Sequence, residues 1–328
     1  MNVSGEGAIA GAPNPVAASA GTDNRPRIGR YETLGRIGVG GMAEVFHARA
    51  TGPGTYTRDL IIKSILPSFA SDPDFVRAFV DEAKILGLLN HPNIVGMYDF
   101  GEDGGRHYLA LEYLDGATLS LILARARKSK APLPVWFATF VAREICRGLT
   151  AVHGLCLPNG QHMNVVHRDV TPSNVIITKT GAVKLLDFGI AKIGNERNVT
   201  RTGHIKGKVG YLAPEQILGG AVDGRVDLFA VGIVVYEMLR LEPLFHGEGG
   251  DVAAMYRTLE KPIEPPSSFR DDVSPAFDAL VMKALSREPA KRYQSAEDME
   301  HDLDAAFHGS KGDTKSAAAD VAKLLLEL

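Results

Sequence analysis

His167-Arg168-Asp169, with Asn174 following the aspartate, and then Asp187-Phe188-Gly189 are the stretches on which this chain turns. A carboxylate, an amide and a second carboxylate in this order suit one task, which is to hold a divalent metal and phosphate oxygens beside an attacking hydroxyl. Asp169 would accept the hydroxyl's proton. Asn174 and Asp187 would supply the hard oxygen ligands that Mg²⁺ takes alongside phosphate. A turn rich in Asp and Asn that only caps helices also fits the first run taken alone. The second run, at this distance, weighs heavily against it.

The rest of the 328 residues sets ordinary bounds. Hydrophobic residues make up 45% and charged ones 23%, a globular composition. The net charge of −3 and a pI near 6.4 give no overall pull toward nucleic acid or an anionic membrane. Two cysteines, Cys146 and Cys156, are too few for a disulfide framework and fit a reducing, cytoplasmic setting. No apolar run reaches the length of a membrane span. Residues 1–27, rich in Ala, Gly, Asn and Pro without a basic start and apolar stretch, read as a disordered tail and not as a secretory signal.

From Tyr31 to Leu111 strand-type runs at 31–37, 43–49, 60–66, 94–100 and 107–111 alternate with turns. One helix interrupts them, opening at Asp72-Pro73 with Phe75, Phe79, Ala83 and Leu86 on its packed face. After Gly116 long helical patterns take over, at 134–154, 226–240 and 274–285. The expected fold is therefore α+β and bilobal: a small β-rich lobe over 28–111, a hinge at 112–116 and a helical lobe over 117–308. Residues 309–328 read as a flexible tail whose end, Val321 to Leu326, is long enough for about two helical turns. A nucleotide-sized cleft is expected at the junction of such lobes.

Ile37-Gly38-Val39-Gly40-Gly41-Met42-Ala43-Glu44-Val45 lies between two strand-like runs, and its glycines let backbone N–H groups approach phosphate oxygens. A glycine-rich hairpin alone could be any β-turn. Here it precedes Leu60-Ile61-Ile62-Lys63, and a lysine inside an apolar strand needs an anionic partner. Phosphates and Glu82, on the helix that follows, are the candidates; a surface-facing lysine is the competing reading.

Taken in order, these pieces make the chain resemble the eukaryotic-like (Hanks-type) serine/threonine protein kinases, in particular their bacterial branch. The resemblance runs over roughly 31–305. It adds His91-Pro92-Asn93-Ile94-Val95, Leu111-Glu112-Tyr113, Ala213-Pro214-Glu215, Asp227 and Arg292 to the motifs above. It implies ATP and Mg²⁺ as cofactors and proteins as substrates. Lys63 would contact the α/β-phosphates and pair with Glu82. The backbone of Glu112 to Leu114 would hold adenine behind Leu111, and Asp169 would be the base. Asn174 and Asp187 would be the metal ligands. Glu215 and Arg292 would form a buried pair, and Asp227 would brace the catalytic loop from below.

The chain departs mildly from the family at Ala43, which stands where the third glycine of the loop is usual, and more consequentially at two other matched positions. The lysine usually found two residues after the catalytic aspartate is Thr171, and the threonine usually found after the glycine of the later segment is Lys208, following Gly207. The two side chains read as exchanged, with Lys208 restoring the charge beside Thr171. The competing reading is that the charge is missing and turnover is slow. Leu157 to His162 reads as an inserted exposed turn, with His162 a surface residue.

By the same resemblance Arg168 would receive a phosphate carried on Thr200 or Thr202 and so order the activation loop. A homodimer would allow phosphorylation in trans. The rival from another class is a nucleotide-binding pseudokinase scaffold. Such proteins usually lose one of the residues that here stand intact as Lys63, Asp169 and Asp187. A small-molecule phosphotransferase is disfavoured by the long segment between Asp187 and Glu215. Tyrosine specificity is disfavoured because neither Arg nor Ala stands at Thr171 and no proline follows in the later segment.

Overall fold

The computed structural model describes residues 26–188, 209–245, 247–311 and 317–327. They form two compact units: the chain up to Asn90 with Val95–Ala117, and His91–Ile94 with the chain from Thr118 onward.

The first unit is built on strands β1 (Arg27–Ile28), β2 (Tyr31–Val39), β3 (Ala43–Thr51), β4 (Thr57–Ile65), β5 (Met97–Asp103) and β6 (Arg106–Glu112). They pair antiparallel in the order β1-β2-β3-β4-β6-β5. Register shifts between Thr33 and Gly35 and between Arg36 and Gly38 bend β2 as it approaches the glycine-rich tip. On β4 the two-residue period puts Leu60 and Ile62 into a core with Ile28, Tyr31, Ala48, Tyr108 and Ala110. Lys63 therefore faces the other way, between Val45 on β3 and Leu109 on β6.

Helix α1 (Pro73–Leu88) starts where the sequence places it. The Asp72 side chain accepts from the Asp74 N–H, Pro73 takes the first helical position, and Phe79, Glu82, Ala83, Ile85 and Leu86 are buried. The expected strand at 94–100 begins later, at Met97. Ile94 closes a turn onto the His91 carbonyl and bridges in parallel to Leu185, in the second unit. An apolar run marks burial, and turn chemistry at His91-Pro92 decides what it is buried against.

In the second unit, β7 (Gly116–Thr118) leads to α2 (Leu119–Ser129), whose first turn is capped by Thr118. Helices α3 (Val135–His153), α4 (Pro214–Leu218), α5 (Arg225–Arg240), α6 (Gly250–Glu260), α7 (Pro275–Ala284), α8 (Ala296–Lys311) and α9 (Ala317–Glu327) follow, with the hairpin of β8 (Val175–Thr178) and β9 (Val183–Leu185) between α3 and α4. From Val226 to Leu239, α5 is buried on every side, the mark of a central helix. α3 packs on α5 and α8. Its Arg143, almost wholly buried, pairs with Asp304 at 2.9 Å while its guanidinium lies 5.2 Å and 4.8 Å from the Phe140 and Phe307 ring centres.

Candidate active site

In the first unit Lys63 Nζ meets Glu82 Oε1 at 2.7 Å, with the side chains 12% and 6% exposed. The lysine is an interior cation held by the α1 carboxylate, which excludes the surface-facing alternative. At the tip of the β2–β3 hairpin, the run from Ile37 to Val45, the Gly40 N–H donates to the Ala43 carbonyl at 2.7 Å and the Met42 carbonyl accepts from Leu66. The Glu44 carboxylate is taken by Arg106 at 2.9 Å and by Arg36 at 3.7 Å. What this run offers a phosphate is therefore backbone. Next to buried Leu111, the Glu112 N–H donates to Gly96 O, and its carboxylate accepts from the Gly96 N–H. Leu114 follows outside the sheet.

In the second unit the run His167-Arg168-Asp169 hangs from one buried carboxylate. Asp227 Oδ2 accepts from the His167 N–H at 2.9 Å and Oδ1 from the Arg168 N–H at 2.8 Å, and His153 Nε2 lies 2.8 Å from Oδ2. These bonds hold Arg168 at φ +62°, a conformation a non-glycine residue keeps only when its surroundings impose it. His167 is wholly buried, with Nε2 bonded to the Leu186 carbonyl and Nδ1 accepting from the Asp169 N–H. Both nitrogens are matched by the neutral ring. Burial pushes its pKa down, against the pull of Asp227 and Asp169.

Asn174 spends both amide hydrogens on Asp169, on the main-chain carbonyl at 2.9 Å and on Oδ2 at 2.8 Å. That fixes the carboxylate and leaves the side-chain amide oxygen of Asn174 as the atom that could serve a cation. Asp187 follows β9 at φ +31°. An amide oxygen and a carboxylate are a donor set that fits Mg²⁺, which keeps water and phosphate for its other positions.

Thr171 is 3% exposed, and its Oγ1 has no hydrogen-bond partner among the described residues. It lines a cavity of about 10 Å³ together with Asp169, Tyr211, Gln216 and Asp227. Lys208, Thr200 and Thr202 lie outside the described residues. Arg292 and Glu215 meet as a buried bidentate pair.

Two partners escape the sequence reading. His153, at the end of α3, shares Asp227, and Glu237 on α5 accepts from both the Tyr211 hydroxyl and Arg127, fixing the stretch before Ala213-Pro214. Neither carries a local signal in the sequence, because each meets its partner only through the fold. His162 is exposed, as expected of an inserted turn; Cys146 is buried and Cys156 exposed, both free.

A two-unit architecture of this kind, with these residues on it, defines a phosphotransferase fold, and comparison with known proteins gives the family. Residues 31–303 match the protein kinase domain family, and the chain belongs to it, in the bacterial Hanks-type branch. It is 41% identical over 271 residues to the tyrosine-protein kinase MasK of Myxococcus xanthus, covering 82% of this chain and 42% of that one. It is 38% identical over 303 residues to the serine/threonine-protein kinase PknB of Mycobacterium tuberculosis, covering 90% and 46%. The chain thus spans less than half the length of these curated relatives. The solved kinase domain of Mycobacterium tuberculosis PknI superposes with a TM-score of 0.63 at 25% identity, over 87% of this chain and 99% of that one. Among the described residues no helix is long and apolar enough to cross a membrane.

Proposed function

We propose that this chain is an ATP- and Mg²⁺-dependent protein kinase that transfers the γ-phosphate to Ser or Thr hydroxyls of proteins, its own activation loop included, in bacterial signalling. The observation that carries the reading is the buried Lys63–Glu82 pair at 2.7 Å, a costly arrangement of two charges with an evident use at the α/β-phosphates. Asn174 and Asp187 would hold Mg²⁺, which supplies charge neutralisation on the phosphate oxygens when bound. Asp169, oriented by Asn174, takes the proton of the acceptor hydroxyl. Backbone groups of Gly38, Gly40 and Gly41 serve the phosphates, and those of Glu112 and Leu114 serve adenine.

Lys208 would stand in for the lysine absent at Thr171. A phosphate on Thr200 or Thr202 would dock on Arg168 and order the segment. Transfer between two copies of the chain is the expected route, and two free cysteines suit a cytoplasmic setting. A second reading, transfer to tyrosine, is favoured by the similarity to the Myxococcus xanthus protein, which is named a tyrosine-protein kinase.

The test is mass spectrometry after incubation with ATP and Mg²⁺, beside an Asp169→Asn control. Phosphate on Thr200 or Thr202 in the wild type alone supports the kinase reading. Phosphotyrosine alone transfers it to the second reading. Nucleotide binding without any phosphate supports the scaffold instead.

A further inference from the structure

Helix α9 is seated on the turn that joins β8 to β9, and the seat is made for glycine. A β-carbon on residue 181 would collide with the main-chain carbonyl of Ala318, in the first turn of α9, whose carbonyl carbon lies 2.5 Å from where it would stand. Gly181 also holds φ +81°, so both its backbone and its missing side chain are used. One turn further on Val321 is fully buried, with Ala318, Ala322 and Leu325 part-buried beside it at helical spacing. This is a docked face.

The platform under the helix is firm. The Thr178 N–H donates to the Ala182 carbonyl at 2.9 Å, the Gly181 N–H to the Thr178 carbonyl at 2.8 Å, and the Ala182 N–H to Thr178 Oγ1 at 3.0 Å. From this turn the strands run back in the register Ile177↔Val183, Ile176↔Lys184, Val175↔Leu185. Val175, Ile177, Val183 and Leu185 are all buried. Asn174 immediately precedes β8, and its main-chain carbonyl accepts from the Leu186 N–H at 2.8 Å; Asp187 is the next residue after Leu186. A hairpin of three pairs spans only about 10 Å. One end of it carries α9 and the other carries the two oxygen ligands.

We propose that α9 is a latch on the β8–β9 hairpin. Seated on Gly181, it holds the strand pair and through it the relation of Asn174 to Asp187; released, it lets the hairpin open locally and weakens Mg²⁺·ATP binding. The first half stands on the contacts alone, whereas the effect on binding rests on the kinase reading above. Local opening of a short hairpin is governed by what is packed against it, so loss of the α9 seat is felt along all three pairs.

Hydrogen exchange on the full chain tests this, with Gly181→Ala undoing the seat from the turn and Val321→Asp undoing it from the helix. In both variants amides of 317–327 and of 175–185 should exchange about tenfold faster than in the wild type, and the Kd for Mg²⁺·ATP should rise with them. Equal exchange of 317–327 in wild type and Val321→Asp would show that the helix has no seat. Freed α9 amides over an unchanged hairpin would make the helix a passenger, which also overturns the proposal. A wild type that binds no Mg²⁺·ATP would refute the kinase reading while the exchange data still decide the latch.

Discussion

Arg292 grips both carboxylate oxygens of Glu215, Nη1 on Oε1 at 2.6 Å and Nη2 on Oε2 at 2.7 Å, with the arginine side chain fully buried. Its remaining donors are also spent: Nε on Ser286 O, Nη1 on Arg225 O and Nη2 on Arg287 O. Of the five hydrogen bonds on this one side chain, two hold Glu215 at the start of α4, one holds the start of α5, and two hold the stretch between α7 and α8. A bidentate geometry of this kind is specific to arginine.

Removing one partner should therefore be far worse than removing both. Glu215→Leu leaves a buried guanidinium without its anion and should cost about 3–5 kcal/mol of stability. The double variant Glu215→Leu, Arg292→Met should recover a good part of that loss, since no uncompensated charge remains. Urea unfolding of the wild type, both single variants and the double variant measures this. A double variant no better than the worse single would show that the arginine's carbonyl contacts, not the ion pair, hold the segment.

Buried neutral His167 makes stability depend on pH with a definite sign. Its folded-state pKa lies below the ordinary histidine value, so below about 6.5 the unfolded chain binds a proton that the folded chain refuses. Stability tied to His167 is fully present above that pH and declines as the pH falls, by at most about 1.4 kcal/mol per unit. Glutamine can keep the bonds to Leu186 O and the Asp169 N–H without titrating. Urea midpoints at pH 7.5 and 5.5 should thus fall further for the wild type than for His167→Gln. Equal falls would mean that His167 protonates without penalty, contrary to its burial.

How much of this was legible follows from which physics each residue obeys. Asp72-Pro73 announces α1 because capping is local chemistry, and Lys63 in an apolar strand announces an ion pair because an interior cation must be matched. Local rules survive folding. The start of β5 was not legible, because Ile94 is apolar for burial in a different unit from the strand that follows. The helical spacing of Leu119, Ile122, Leu123 and Ala126 in α2 was present in the sequence, yet the period in a short apolar run is easily passed over. His153 carries no local signal at all. It matters only because α3 delivers it to Asp227, 74 residues away.

Thr171 offers the sharpest test of the reaction itself. Its hydroxyl is buried beside Asp169 without a partner among the described residues, an arrangement that costs stability unless something supplied by another segment meets it. If Lys208 is that something, Thr171→Lys alone places two cations at one site, and Lys208→Thr alone leaves none. Each single variant should then lose most phosphate transfer, while Thr171→Lys, Lys208→Thr together restore the usual arrangement by the opposite route. The coupling between the two changes should lie in the range of about 0.5–3 kcal/mol seen for residues in contact. Initial rates of phosphate transfer to a protein substrate, with ATP saturating, give the four corners of the cycle. A double variant whose rate is merely the product of the two single losses would show that Lys208 and Thr171 act independently, and the missing charge would then be a real loss of catalytic power.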